Sequence, residues 1–154
     1  MTLDSRLKVA ILMGSEKDLE KMEPAGAVLT ELGVEHDVHV MSAHRTPQKV
    51  ADFASGARQA GYGVIICGAG KAAHLAGAVA AHSTLPVIGV PIAAGTLGGL
   101  DALLSTVQMP TGVPVATVAV DSAANAAYLA AAVLSIGDET VAKALADYRD
   151  GLKG

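Results

Sequence analysis

Leu7-Lys8-Val9-Ala10-Ile11-Leu12-Met13 is a short apolar run that stops at Gly14-Ser15, and a helical pattern of Leu19, Met22, Ala25, Val28, Leu29 and Leu32 follows it as far as Gly33. An unbroken apolar run of that length predicts a buried strand, and apolar residues returning every three or four positions predict a helix with one covered face. The same grammar recurs downstream. Val38-His39-Val40-Met41 leads through Ser42-Ala43-His44-Arg45-Thr46-Pro47 into a helix to about Ala60, and Val64-Ile65-Ile66-Cys67 leads through Gly68-Ala69-Gly70-Lys71 into a helix through Ala81. Pro86–Val90 and Val113–Val120 complete about five strands, with further helices at roughly Leu100–Val107 and Ser122–Leu134. Because the strand runs are continuously apolar rather than alternating, helices are expected on both faces of the sheet. The fold class is α/β, a three-layer αβα sandwich around a parallel sheet. An extra C-terminal helix at about 138–153 carries Val141, Ala142, Leu145, Tyr148 and Leu152 on one side, and this face is expected to pack in an oligomer.

A chain of 154 residues makes one domain, 1–154, with a core of its own. Hydrophobic residues at 51% and charged residues at 17% exclude a disordered chain. Every apolar stretch is interrupted well short of the ~18 residues of a membrane span. One Phe, no Trp and a formal charge of -4 leave neither a stacking platform nor a basic field for nucleic acid. The single Cys67 excludes an internal disulfide framework and a multi-cysteine zinc site. The initial Met-Thr-Leu-Asp-Ser-Arg lacks a signal-peptide layout, so the expected location is cytoplasmic.

In an open parallel sheet, ligands bind at the carboxyl ends of the strands, where the following helices aim their positive N-terminal ends. Three loops are therefore candidates. In the first, Ser15 and Asp18 fit the Ser-x-x-Asp cap that many ordinary helices carry, and that reading stands ahead of a phosphate-binding role on local sequence alone. In the second, Ser42, His44 and Arg45 follow a buried strand and precede Pro47, a good first-turn residue. A hydroxyl and a guanidinium beside helix N–H groups suit a phosphate monoester, and a histidine there can move protons near neutral pH. In the third, Gly68 and Gly70 would let the backbone approach a planar ligand, while Lys71 and His74 are balanced between the site and solvent. His36, His39 and His82 lack such company and read as structural or solvated; Cys67, Met22, Met41 and Met109 read as packing. Neither Gly14 nor Gly68-x-Gly70 completes a dinucleotide fingerprint or an ATP phosphate loop, and no cofactor or metal is expected.

Taken in order, Gly14-Ser15-x-x-Asp18, Ser42-Ala43-His44-Arg45-Thr46-Pro47, Gly68-Ala69-Gly70-x-Ala72-Ala73-His74-Leu75, Pro86-Val87-Ile88-Gly89-Val90-Pro91 and Ser105-x-Val107-Gln108-Met109-Pro110-x-Gly112-Val113-Pro114-Val115 resemble the catalytic subunit of phosphoribosylaminoimidazole carboxylase, the PurE family. The likeness runs from about Val9 to Leu134. The Ser-Ala-His-Arg-Thr-Pro and Ala-Ala-His-Leu forms resemble class I members, the 5-(carboxyamino)imidazole ribonucleotide mutases, rather than class II members, which carboxylate aminoimidazole ribonucleotide directly. This resemblance implies that Ser15, Asp18, Ser42 and Arg45 hold the ribose and its phosphate. It further implies that His44 shuttles protons and that Gly68, Ala69, Gly70 and His74 wall the imidazole and the migrating carboxylate. Lys71 stands where class I members commonly have Gly, within reach of the carboxylate or facing solvent. Asp121-Ser122-Ala123-Ala124-Asn125 is shorter than the family's usual Gly-Lys-Ala-Gly-Ala-x-Asn. The family also implies a ribonucleotide substrate, a homo-octamer and a separate ATP-dependent carboxyaminoimidazole ribonucleotide synthetase. A direct carboxylase and a non-catalytic ribonucleotide-binding domain on the same flavodoxin-like scaffold are the competing readings.

Overall fold

The computed structural model describes residues 6–154; Met1–Ser5, most of the segment read above for a signal layout, lie outside the described residues. The apolar run becomes strand β1 (Lys8–Met13), followed by a 3-10 turn at Glu16–Asp18 and helix α1 (Leu19–Glu31). The repeats follow as β2 (His36–Val40), α2 (Pro47–Gly56), β3 (Tyr62–Gly70), α3 (Leu75–His82), β4 (Val87–Ile92), α4 (Leu100–Val107), β5 (Ala116–Thr117), α5 (Ala123–Ser135) and α6 (Glu139–Gly151). The strands form one sheet in the order β2-β1-β3-β4-β5, and every pairing is parallel.

Alternate side chains of each central strand enter different cores, which is why the runs are apolar at every position. Val9, Ile11 and Met13 of β1 and Val64 and Ile66 of β3 face α1 and α5. Ala10, Leu12, Ile65 and Cys67 face α2 and α3. α4 joins the second layer, where Thr106 is buried and satisfies its hydroxyl on the Ala102 carbonyl at 2.7 Å. Edge strand β2 is less covered than expected, with Val38 exposed. α6 finds its neighbour in the same chain: Val141 is buried, and Tyr148 stacks on Tyr128 of α5 with ring centroids 4.4 Å apart.

Three boundaries differ most from the sequence reading. The strand expected over Val113–Val120 pairs only at Ala116 and Thr117. Pro114 before the pairing and Pro91 of β4 beyond it have no N–H for a ladder, and the chain after β5 touches β4 through single bonds, Val118 N–H to the Gly89 carbonyl and Asp121 N–H to the Pro91 carbonyl. α2 ends at Gly56 instead of about Ala60. β3 runs through Gly68, Ala69 and Gly70, so those residues are strand rather than loop.

The β4–α4 contact depends on Gly89, where an added Cβ would meet Thr106 Cγ2 at 2.3 Å and Val115 Cγ1 at 3.0 Å. Neither neighbour is the free end of a long side chain. Gly89→Ala is expected to destabilise the protein by about 1–3 kcal/mol, measured as a lower urea midpoint at unchanged slope.

Candidate active site

β1 and β2 end at one level, because Met13 pairs with Val40, and β3, paired to Met13 at Gly68, runs two residues farther to Gly70. The chain leaving each strand therefore opens onto the same edge of the sheet. A cavity of about 120 Å³ forms there, lined by Ser15 and Asp18 from the first loop, Ser42, His44 and Arg45 from the second, and Ala69, Gly70 and His74 from the third. Gly14, Ala43, Ala72 and Leu75 fill the wall between them.

The second loop is held by its own hydroxyls. Ser42 Oγ accepts from the backbone N–H groups of His44 at 3.3 Å and Arg45 at 3.1 Å. Thr46 Oγ1 accepts from Ser42 N–H at 2.9 Å and donates to the Ser42 carbonyl at 3.1 Å. Thr46 thus fixes the turn that presents His44 and Arg45, a role the sequence reading missed although Thr-Pro at a helix start is a recognisable signal. Ser42 Oγ serves the turn only as acceptor, so its O–H remains able to donate outward. Arg45 makes no salt bridge among the described residues.

The second and third loops meet through their histidines. His44 Nε2 lies 2.6 Å from His74 Nδ1, with the rings edge to face at 4.8 Å. Such a bond requires one nitrogen to donate and the other to accept, so a single proton lies between the two rings. His74 stands at the N-cap of α3, and its carbonyl accepts from Ala78 N–H at 2.9 Å. Nothing in the local pattern of either loop announces a contact between residues 30 apart.

In the first loop, Ser15 Oγ caps the 3-10 turn by accepting from Lys17 N–H at 3.2 Å. Asp18 N–H donates to the Ser15 carbonyl instead of its hydroxyl, so the expected Ser-x-x-Asp cap is only half formed. Burial raises the Asp18 carboxyl above the usual range, opposed by the Lys21 ammonium and then the Ser15 amide.

Two sequence candidates do not line the cavity. Gly68 faces α1, where an added Cβ would lie 2.4 Å from Met22 Sδ; its missing side chain makes room for packing, not for a ligand. Lys71 adopts the left-handed backbone region, φ 55°, and its stem runs toward Gly95, where an added Cβ would meet Lys71 Cε at 3.3 Å. Cys67 is buried, and burial pushes its thiol far up, consistent with packing. Among the described residues, no group of three or more His, Cys, Asp or Glu side chains is arranged to hold a metal ion. No described helix is long and apolar enough to cross a membrane.

A carboxyl whose native pKa is raised binds its proton more tightly folded than unfolded. Ionised Asp18 therefore detracts from stability at neutral pH, and the penalty disappears as pH falls through the raised value toward the ordinary ~3.9. Asp18→Asn is expected to be more stable than the parent at pH 7, with the gap closing on acidification, as read from urea midpoints at both ends of that range.

Comparison with known proteins places this arrangement in a family. The family described as AIR carboxylase matches residues 8–154. An N5-carboxyaminoimidazole ribonucleotide mutase of Thermotoga maritima is 49% identical over 146 residues, covering 95% of this chain and 85% of that protein. A mutase of the same name from Brucella melitensis is 52% identical over 143 residues, covering 92% of this chain and 88% of that protein. The crystal structure of Treponema denticola PurE superposes with a TM-score of 0.88 at 29% identity, covering 96% of this chain and 92% of that one.

Proposed function

The chain belongs to the AIR carboxylase family, and on that premise we propose that it is an N5-carboxyaminoimidazole ribonucleotide mutase of purine biosynthesis, moving a carboxylate from the exocyclic amine to the ring carbon of aminoimidazole ribonucleotide. The observation that carries this reading is one cup with a proton-moving imidazole pair beside a guanidinium and a free hydroxyl donor. The mutase name borne by relatives of this similarity favours class I chemistry over direct carboxylation and over a binding-only domain.

Ser42 and Arg45 grip the phosphate, the hydroxyl and the guanidinium acting beside the N–H groups that open α2. Ser15 supports that grip, and Asp18 accepts from the ribose hydroxyls. The imidazole ring rests against Ala69 and Gly70. His44 gives its proton to the exocyclic nitrogen as the nitrogen–carboxyl bond breaks, releasing carbon dioxide inside the cup. The electron-rich ring carbon attacks that carbon dioxide, and His44 recovers a proton from the same carbon as aromaticity returns. The cycle is proton-neutral. His74 sets the orientation and tautomer of His44 through their shared proton. Gly68 and Lys71 act from behind, through Met22 and the loop at Gly95.

A cavity of about 120 Å³ is smaller than the ~300 Å³ at which ordinary small-molecule sites begin, so a neighbouring subunit would supply the remaining wall. α4 offers the surface for this. Leu97 in the turn before it and Leu100, Leu104 and Val107 along it are 61%, 55%, 49% and 43% exposed, an unusual apolar face for a lone protomer. The assembly is a cytoplasmic homo-octamer that takes its carbamate from an ATP-dependent synthetase.

His44→Asn is expected to fold normally and to lose about 10²–10⁴-fold in conversion of the carbamate to 4-carboxy-5-aminoimidazole ribonucleotide. Turnover at the parental rate would remove His44 from the mechanism. Arg45→Ala should raise KM in keeping with a loss of roughly 2–5 kcal/mol of binding. An assay offering aminoimidazole ribonucleotide with bicarbonate should give little product beside one offering the carbamate. Leu104→Glu is expected to shift the sedimentation profile toward smaller species.

A further inference from the structure

The end of β4 is held by a device that neither the motifs nor the chemistry above accounts for. Ala93, the first residue beyond the strand, has both backbone groups bound by side chains from distant parts of the chain. Its N–H donates to Asp121 Oδ1 at 2.9 Å, and its carbonyl accepts from Lys21 Nζ at 2.9 Å. Lys21 Nζ also donates to Asp121 Oδ2 at 3.0 Å, closing a ring between α1, the end of β4 and the turn before α5. Asp121 holds this place in the left-handed region, φ 59°, while its N–H donates to the Pro91 carbonyl at 2.8 Å. A non-glycine residue in that conformation stores backbone strain, which its surroundings must hold in place.

What the ring holds leads straight to the cup. Next after Ala93 comes Ala94, whose Cβ lies 3.1 Å from the point where a Gly70 Cβ would stand, with the Ile92 carbonyl at 3.2 Å from the same point. Gly70 is thus backed closely by the end of β4 on one side while it lines the cavity on the other. Past Ala94 the chain enters Gly95, Gly98 and Gly99, all at positive φ, so Ala93 is the last residue there pinned at both backbone groups by side chains. The ion pair is about two-fifths exposed on each partner, at 41% and 37%, and pairs so placed add little to global stability. Its effect is local. We propose that Lys21 and Asp121 are positioning residues for the reaction, clamping Ala93 so that Ala94 braces the Gly70 wall at a fixed distance from His44. Lys21 is also the charge that opposes the burial of Asp18, so one ammonium serves two walls of the cup.

The kinetic form of this inference rests on the mutase reading; its structural form does not. Asp121→Gly suits the left-handed backbone while removing the side chain that carries the carboxylate, so the variant should keep the parental melting temperature within a few degrees. Lys21→Met breaks the ring from the other side, and Lys21→Arg keeps a cation able to reach both oxygens. Asp121→Gly is expected to lower kcat by about 10- to 100-fold with KM within threefold, because Ser42 and Arg45 still hold the phosphate while the ring shifts against His44. Lys21→Met should lower kcat comparably, and Lys21→Arg should restore most of it. Hydrogen exchange should quicken in Asp121→Gly both at 93–95 and at 68–72. A kcat within threefold of the parent in both Asp121→Gly and Lys21→Met, or quickened exchange at 93–95 with none at 68–72, overturns the clamp. A parent protein that does not turn over the carbamate defeats the mutase reading instead, and the exchange measurement then decides the clamp alone.

Discussion

The register of three neighbouring strands is the constraint on which the rest of the molecule depends. Met13 stands between Val40 and Gly68, so β1 and β2 stop at one level and the turns that follow them face β3 where it becomes cavity wall. A parallel ladder slipped by one residue would turn every side chain of β1 to the opposite core. Ile11 and Met13 would trade layers with Ala10 and Leu12, and the volumes could not be reconciled. The hydrophobic pattern thus determines the height at which a hydroxyl, an imidazole and a guanidinium meet.

Small residues convert that register into closeness. α5 buries Ala123, Ala126, Ala127, Ala130 and Ala131, letting its backbone lie near the sheet and α1. Gly63 of β3 would clash with Leu134 of α5 at 2.7 Å if it carried a Cβ, and Gly68 would clash with Met22 in the same layer. The central strand is therefore pressed from α1 and α5 along much of its length. Such close packing leaves its cavity-facing end little freedom to drift, which favours a site that must hold a small ring against an imidazole.

Much of this was legible in the sequence, and the exceptions have physical causes. The alternation of apolar runs with three-four periodicity placed nearly every helix and strand, because burial on both sheet faces leaves a strong compositional mark. Convergence of Ser15, Asp18, Ser42, His44, Arg45, Ala69, Gly70 and His74 followed from the rule that ligands sit at strand carboxyl ends. β5 was overread because Val113–Val120 is apolar enough for a strand, while prolines on both sides of the pairing withhold the donors that a ladder needs. The glycines of β3 read as loop in the sequence because residue type does not reveal whether a missing side chain makes room for a ligand or for Met22. For Lys71 the sequence leaves site and solvent open, because charge is visible in a sequence and a left-handed backbone on a lysine is not. The His44–His74 bond and the Lys21–Asp121 ring join residues 30 and 100 positions apart, distances at which local pattern is silent.

Cys67 lies in the same strand as Gly68 and Gly70, with its sulfur sealed beneath α2 and α3 and its thiol held in the protonated form. Only a thiolate that meets solvent reacts with alkylating or oxidising reagents. The chain thereby carries an internal gauge at its centre. Modification of that one sulfur reports how often the middle of the sheet parts from its helices, and an oxidant finds no thiol to attack until it does.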